Sequence, residues 1–405
     1  MTFKRMTEVH SKALKKPTFV SRIIKKLEGS KKGITVVVFA GIHGNESSGI
    51  FAIQEVLNRI EQFDINGTIY GISGNLKALE VNKRFIDEDL NRIWTFENLE
   101  RLIRKKELNT EENEQSELFD LLNEIVSLNP GPFYFIDLHT TSSKTTPFIT
   151  ISDALINRRF SKLFPVPIVL GIEEYLNGPL LTYINQLGYV SLGFESGQHD
   201  EINSIKNHMS FLFLVLVYAR VIKQEDITGF KDHYNAINNA SNNHAEIYEV
   251  VHLHRIKQND VFKMINGFKS FQPIKKGILL AESNGEQIKS EKKGILFMPL
   301  YQEIGEDGFF IIRKVKPIFL RLSAILRKTK ADNLLVLLPG IHWENKRKHV
   351  LKVDLKIARF YVKQIFHLFG FRSKQVDETH LKLYNRARNA RTNLYEKESW
   401  FKSPY

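Results

Sequence analysis

The chain has 405 residues, of which 42% are hydrophobic and 25% charged, which is ordinary for a folded protein large enough for more than one domain. It contains no cysteine, which excludes disulfides, thiolate metal sites and cysteine nucleophiles and fits a reducing compartment. No apolar run reaches the about eighteen residues of a membrane-spanning helix, and Met1 to Lys16 lacks the apolar core of a secretory signal, so we expect a cytoplasmic protein.

Strands and helices are predicted to alternate over residues 1–234. Apolar, β-branched runs predict the strands, and apolar positions at helical spacing predict the helices. The predicted strands cover residues 34–40, 68–72, 133–138, 167–170 and 190–194, and the predicted helices cover 47–61, 111–128, 180–187 and 202–222. Such alternation favours an α/β fold, with a sheet between two layers of helices.

The pattern changes after Asp232. Residues 235–243 are rich in Asn and Ala and are predicted to form a linker. Short strands and frequent turns containing Gly or Asn predict a small all-β module over residues 245–315, with a pattern that resembles the barrel-sandwich of lipoyl and biotinyl carriers. Residues 316–405 form a third, basic region, in which helices are predicted at 350–369 and 379–395.

The net charge of +13 is located in this last region, which contains 20 Lys and Arg residues and 7 Asp and Glu residues. A solvated basic surface is the simplest interpretation. Contact with nucleic acid, an anionic membrane surface or an acidic partner is the alternative.

Two motifs at the ends of predicted strands indicate a metal site. The first, Gly41-Ile42-His43-Gly44-Asn45-Glu46, contains a His-x-x-Glu pair, and the second is Asp137-Leu138-His139. Three nitrogen and oxygen ligands with a fourth position open to water are typical of catalytic zinc, and Asp137 is placed to fix an imidazole by a hydrogen bond. Alternatively, Glu46 only stabilises the dipole at the beginning of a helix.

Two further segments carry candidate site residues. Residues 82–92 contain Arg84, Asn91 and Arg92 and form either a solvated loop or an anion-binding wall, because guanidinium groups match carboxylates in a two-point contact. Glu195, directly after the strand 190–194, is either a general base or a solvent-facing loop residue.

In this order, the motifs Gly-x-His-Gly-Asn-Glu, Arg-Phe-x-x-x-Asp-Leu-Asn-Arg, Asp-Leu-His and a strand-end Glu resemble the succinylglutamate desuccinylase/aspartoacylase family, a branch of the zinc carboxypeptidase-like hydrolases. The resemblance covers about residues 30–225. It implies a mixed, mostly parallel sheet flanked by helices and one zinc ion per chain. By position it also implies zinc ligation by His43, Glu46 and His139, proton transfer by Glu195, polarisation of the scissile carbonyl by Arg84, and binding of a substrate carboxylate by Asn91 and Arg92.

One departure from the family pattern bears on the substrate. Aspartoacylase-like members place an arginine shortly before the catalytic Glu, where it binds a second carboxylate, but residues 178–194 contain neither Arg nor Lys. Arg158 and Arg159 are possible substitutes. The resemblance therefore implies the reaction class and leaves open the acyl group and the amine.

The predicted function is zinc-dependent hydrolysis of the amide bond of an N-acyl amino acid or a related small, carboxylate-bearing amide. One alternative is a zinc carboxypeptidase that acts on short peptides or peptidoglycan fragments. The other is a non-enzymatic basic adaptor, in which the hydrolase fold carries residues 316–405 to nucleic acid or an anionic surface.

Overall fold

The computed structural model describes residues 6–344, 346, 348–358, 363–375 and 380–402. Within them the strands are β1 (Thr7–Ser11), β2 (Lys16–Val20), β3 (Ile23–Glu28), β4 (Lys31–Ala40), β5 (Asn66–Ser73), β6 (Phe133–Thr141), β7 (Phe148–Ile151), β8 (Ile168–Leu170), β9 (Val190–Gln198), β10 (Ile247–Arg255), β11 (Phe262–Met264), β12 (Gln272–Ile274), β13 (Leu279–Ser283), β14 (Glu286–Lys289), β15 (Gly294–Phe297), β16 (Asp307–Lys314), β17 (Ile341–Trp343), β18 (Val350–Asp354), β19 (Phe371–Gln375) and β20 (His380–Asn385). The helices are α1 (Ser48–Arg59), α2 (Leu76–Glu80), α3 (Phe96–Arg104), α4 (Thr110–Leu128), α5 (Leu155–Ser161), α6 (Leu180–Gln186), α7 (Ile202–Tyr218), α8 (Phe230–Ala240), α9 (Pro317–Lys328), α10 (Leu355–Ala358), α11 (Lys363–Leu368) and α12 (Arg386–Asn389). None of these helices combines the length and the apolar composition needed to cross a membrane.

Eleven strands form one large mixed sheet in the order β12-β15-β16-β10-β8-β7-β9-β6-β4-β5-β3. At its centre β5, β4, β6 and β9 are parallel, and β7 pairs antiparallel with β9. Side chains of β4 alternate between the two faces, since Val36 and Val38 pack with α1 and α7, whereas Val37 and Phe39 pack with α4 and α6. The predicted α/β fold with helices on both faces of the sheet is confirmed.

Every strand and helix predicted in residues 1–234 is present. The predicted linker at 235–243 is wrong, because most of it belongs to α8. Ile237 anchors this helix by packing, fully buried, in the core beside α7. One apolar anchor among asparagines gives a weak helical pattern, which explains the error.

The module predicted at 245–315 consists of strands, but a separate barrel-sandwich is not confirmed. Four of its strands, β10, β16, β15 and β12, continue the large sheet. The continuation begins where β10 pairs parallel with β8, with Ile247 opposite Ile168. The remaining strands β11, β13 and β14 form a small sheet of their own.

The two helices predicted in the basic region are present only in part, as α10 and α11 within 350–369 and as α12 within 379–395. Val350–Asp354 and His380–Asn385 were predicted to be helical, but they are strands of an antiparallel sheet with the order β17-β18-β20-β19. Leu351 lies opposite Leu383 and packs in a local core. The parts of the two predicted helices at 359–362 and 376–379 lie outside the described residues.

This basic region packs against the α/β part of the chain. Asp153, fully buried, accepts hydrogen bonds from Arg158 at 2.5 Å, Arg327 at 2.9 Å and Arg372 at 2.6 Å. Arg327 and Arg372 belong to the basic region, so the cluster holds the two parts together. Close to the end of the chain, the Tyr395 hydroxyl donates to the Phe133 carbonyl at 2.5 Å and accepts from the Val190 amide at 3.0 Å.

Candidate metal centre

The candidate site lies at the carboxyl ends of the central parallel strands, where open α/β sheets bind their ligands. His43 and Glu46 follow β4, His139 lies near the end of β6, and Glu195 lies opposite His139 on β9. Close packing sets the turn after β4, since a Cβ at Gly44 would stand 2.1 Å from the Ala78 carbonyl carbon. Glycine at this position therefore lets the His43–Glu46 segment sit directly against α2.

His43, Glu46 and His139 form a buried group that could hold a metal ion, with potential ligand atoms within 4.8 Å of one another. The Nδ1 of His43 is 2.8 Å from Glu46 Oε1, and the Nδ1 of His139 is 3.1 Å from Glu46 Oε2. Burial alone would raise the pKa of Glu46, but the two imidazoles outweigh this effect and hold the pKa well below its ordinary value. The carboxylate is therefore ionised, as a metal ligand must be.

Two carboxylates fix the opposite nitrogens of both imidazoles. Asp137 Oδ2 lies 2.7 Å from His139 Nε2, and Asp89 Oδ1 lies 3.1 Å from His43 Nε2. Both Nδ1 atoms are thereby directed toward Glu46. Carboxylates that orient histidine ligands in this way are characteristic of metal sites, and the donor set of two nitrogens and one carboxylate suits zinc. The residues present fit the implied ion.

Glu195 is buried beside this group, not facing solvent. Its Oε2 has no hydrogen-bond partner. Burial raises the pKa of Glu195 to about 8, with smaller and opposing effects from the charges of His139 and Glu46. A carboxyl group that can gain and release a proton near neutral pH suits general acid–base chemistry.

Arg84 is held beside the metal ligands by Asp89. Its Nε and Nη2 donate to Asp89 Oδ2 at 3.2 and 2.9 Å, and its Nη1 lies 3.7 Å from Glu46 Oε1. One edge of the guanidinium is therefore fixed while Nη1 is directed toward the ligand group.

Asn91 and Arg92 also line the cavity, but both have structural partners. Asn91 Oδ1 accepts from the Leu180 amide at 2.9 Å, where α6 begins. Arg92 Nη2 bonds to Asp307 Oδ2 at 2.6 Å, which connects the catalytic domain to β16. All seven predicted site residues line one cavity of about 140 Å³.

Three polar residues around the metal group were not assigned a role from the sequence. Asp89 lies inside the arginine-containing motif, but nothing in the sequence pairs it with His43. Gln302, from the β module, accepts from Asn45 Nδ2 at 3.0 Å and lies 3.3 Å from His199 Nε2. His208 bonds to the His139 carbonyl at 3.1 Å, and burial lowers its pKa to about 3, so it stays neutral. The only sign of His208 in the sequence was its position as a histidine within the apolar residues of α7.

The two possible substitutes for the arginine that family members place before the catalytic Glu, Arg158 and Arg159, have partners elsewhere. Arg158 belongs to the Asp153 cluster, and the Arg159 guanidinium stacks on Phe401 at 4.8 Å. Neither side chain is among the described residues that line the cavity.

Comparison with known proteins connects the site to one family. The model of the succinylglutamate desuccinylase/aspartoacylase catalytic domain matches residues 32–207. A probable aspartoacylase from Prochlorococcus marinus (strain NATL2A) is 31% identical over 150 residues, which are 36% of this chain and 46% of that protein. A succinylglutamate desuccinylase from Photorhabdus laumondii is 32% identical over 77 residues, 18% of this chain and 23% of that protein. The similarity thus spans less than half the length of these relatives.

Solved structures extend the similarity of fold beyond the catalytic domain. The product-bound ectoine utilization protein EutE (DoeB) from Ruegeria pomeroyi superposes with a TM-score of 0.54 at 15% identity and covers 78% of this chain and 98% of its own. A succinylglutamate desuccinylase/aspartoacylase from Rhodobacter sphaeroides gives a TM-score of 0.53 at 14% identity, with the same coverage of both chains. At these identities the likeness concerns the fold alone.

Proposed function

We propose that the protein is a zinc-dependent amidohydrolase of the succinylglutamate desuccinylase/aspartoacylase family, whose catalytic-domain model matches residues 32–207. Its substrate is an N-acyl amino acid or a related small, carboxylate-bearing amide. The observation that carries the proposal is the paired orientation of His43 and His139, whose Nδ1 atoms face Glu46 while Asp89 and Asp137 hold the other nitrogens. A cytoplasmic location belongs to the same proposal and rests on the absence of cysteine.

His43, Glu46 and His139 would hold one zinc ion, which supplies Lewis-acid activation of the attacking water and the scissile carbonyl. Glu195 accepts the proton of that water on its unpartnered Oε2 and then delivers it to the leaving nitrogen. A single residue serves in both directions because its buried carboxyl is poised to be neutral or charged near neutral pH.

Two arginines supply positive charge to the substrate. Arg84, with its Nε and Nη2 fixed by Asp89, offers Nη1 to the oxyanion that develops on the carbonyl oxygen. Arg92, assisted by Asn91, binds the substrate carboxylate. Burial lowers the pKa of Arg92, but Asp89 and Asp307 raise it by more, so the guanidinium keeps its charge.

A small amide is favoured over a peptide because the β module closes one side of the cavity. Met298, Pro299, Leu300 and Gln302 line it together with the catalytic residues. Its volume of about 140 Å³ is below the roughly 300 Å³ at which ordinary ligand pockets begin. A carboxypeptidase for short peptides or peptidoglycan fragments would need an open groove. The adaptor alternative has no support from the site, because an adaptor does not require an intact ligand set.

The test combines metal analysis with a panel of N-acyl amino acids. The purified protein should contain one zinc ion per chain, lose hydrolysis when a chelator removes the metal, and recover it when zinc is restored. Glu195→Gln should retain the zinc and lose turnover by about 10²- to 10⁴-fold, the usual contribution of a general base. Glu201→Gln, an exposed carboxylate at the beginning of α7, is the matched control and should leave turnover unchanged. Full turnover in Glu195→Gln would refute the mechanism.

A further inference from the structure

The cavity provides little free positive charge for a substrate. Among the described residues that line it, Arg84 and Arg92 are the only Arg or Lys side chains. Each already has a carboxylate partner, because Arg84 bonds to Asp89 at 2.9 Å and Arg92 bonds to Asp307 at 2.6 Å. A substrate carboxylate at Arg92 must therefore share the guanidinium with Asp307.

Acidic side chains also stand in the cavity wall. Glu306 and Asp307, from the segment that leads into β16, line the cavity near Arg92. Asp307 Oδ1 is buried without a hydrogen-bond partner. A second substrate carboxylate would be desolvated beside these acids with no cation to compensate it, which is strongly unfavourable.

One part of the remaining wall is apolar, while the rest is lined mainly by uncharged Ser and Thr side chains. Side chains from the segment before α6, from α6 itself and from the β module face the cavity, namely Ile172, Leu176, Pro179, Leu181, Met298 and Phe310. Phe310 belongs to a buried cluster against which Ile172, Leu176 and Met298 pack. This wall offers contact area to an aliphatic group, and removal of such a group from water is favourable.

From the paired arginines, the acidic residues beside them and this uncharged wall, we propose that the substrate carries one carboxylate, bound by Arg92, and that its remaining parts are uncharged. Both the acyl group and the amino-acid side chain are then neutral. The proposal rests on the proposed function but departs from what the names of the relatives indicate, since succinylglutamate and N-acetylaspartate each carry more than one carboxylate.

The test is a comparison of compounds that differ by one carboxylate. N-butanoyl-norvaline is the neutral reference, N-succinyl-norvaline adds a carboxylate to the acyl group, and N-butanoyl-glutamate adds one to the amino-acid side chain. Binding of each to the zinc-loaded Glu195→Gln protein is measured by calorimetry, so the readout does not require turnover. Each added carboxylate should weaken binding by about tenfold or more, because it is buried without a counter-charge.

A matched pair of variants tests the missing cation directly. Leu181→Arg, in the same background, places a guanidinium on the apolar wall, and Leu181→Met keeps a neutral side chain of similar length. Leu181→Arg should narrow the affinity gap for at least one acidic compound by about tenfold, whereas Leu181→Met should preserve it. If Leu181→Arg does not fold, the comparison of compounds on the Leu181 protein decides alone.

The outcomes separate this inference from the proposed function. Equal or tighter binding of the acidic compounds overturns the inference, and their hydrolysis by the unsubstituted protein would leave the proposed amidohydrolase intact. Failure to bind the neutral reference overturns the inference, whereas the proposed function stands or falls with zinc-dependent hydrolysis in the panel of N-acyl amino acids. The inference is supported if the neutral compound binds at least tenfold more tightly than the acidic compounds, and if Leu181→Arg reduces this difference while Leu181→Met preserves it. If Leu181→Arg leaves the difference in affinity unchanged, the inference is overturned.

Discussion

Asp89→Asn is the substitution that best tests the organisation of the candidate metal centre. The two carboxylate oxygens of Asp89 serve three donors, namely His43 Nε2 at 3.1 Å, the Arg84 guanidinium at 2.9 and 3.2 Å, and the Asn91 amide at 2.8 Å. An asparagine of the same shape has one acceptor oxygen and places an N–H₂ group against the remaining donors. The change therefore removes the negative charge that holds both His43 and Arg84, and it leaves an acceptor oxygen for only one of them, without altering side-chain volume.

The expected size of the effect follows from the weakened contacts of Asp89 with His43 and Arg84. Removal of the carboxylate that orients a histidine ligand typically lowers metal affinity by about 10- to 100-fold, which corresponds to about 1.4–2.8 kcal/mol. Turnover should fall further than the loss of zinc explains, because Arg84 is no longer fixed beside the developing oxyanion. At saturating zinc, kcat should thus remain below that of the unsubstituted protein.

The measurement is zinc affinity by competition with a chromophoric chelator at constant pH, followed by kcat at saturating zinc. Asp87→Asn is the matched control, since it makes the same chemical change two residues away. Asp87 is exposed and contacts Thr110 at the beginning of α4, whose amide donates to Asp87 Oδ2 at 2.8 Å. The control should bind zinc within about twofold of the unsubstituted protein. Zinc affinity within about twofold for Asp89→Asn would refute this account of the site.

Two further substitutions test how the basic region is attached. Asp153→Asn should lower the free energy of unfolding, measured in urea, by about 3–5 kcal/mol, because it removes the buried counter-charge of Arg158 and Arg327. The control is Asp64→Asn at an exposed position, which should change the free energy of unfolding by less than about 0.5 kcal/mol. Equal losses in the two variants would contradict the role of the Asp153 cluster. Burial alone would raise the pKa of Asp153, but the arginines hold this pKa well below its ordinary value. The contribution of Asp153 to the free energy of unfolding is therefore complete above about pH 4 and is lost as the pH falls through the native pKa. At that low pH the unsubstituted protein and Asp153→Asn should have similar stability. Tyr395→Phe should lower the free energy of unfolding by about 1–3 kcal/mol, because the Val190 amide and the Phe133 carbonyl lose their hydrogen bonds to the hydroxyl. Tyr234→Phe, at a partly exposed position, is the control in the same urea assay. No loss of stability in Tyr395→Phe would contradict the role of this contact.

The catalytic core could be predicted from the sequence because its signals are local. Strands buried on both faces appear as continuous apolar runs, such as the one that became β4, and polar residues directly after them must lie at one edge of the sheet. His43, Glu46 and His139 are therefore recognisable as a group. The partnership of Asp89 with His43 was not predictable, because it depends on how a loop folds back over 46 positions.

Two strands of the basic region, β18 and β20, were misjudged because they depend on distant pairing. They are five and six residues long with one lysine each, and so short an alternation of apolar and polar residues does not distinguish a half-buried strand from an amphipathic helix. Leu351 and Leu383 become core residues only when the two strands are paired. β-propensity is governed by such neighbours more than by the residue itself.

The division of the site between two parts of the chain explains why the reaction class is easier to infer than the substrate. The candidate metal ligands, the proposed general base and the proposed oxyanion donor all lie within residues 32–207, the segment that matches the family model. The opposite wall comes from residues 298–310, where Gln302 bonds to Asn45 and Asp307 bonds to Arg92. A change in this wall alters the charge and shape offered to the substrate while the catalytic group stays intact. Substrate specificity is therefore to be sought in the β module, opposite the candidate metal group at the sheet edge.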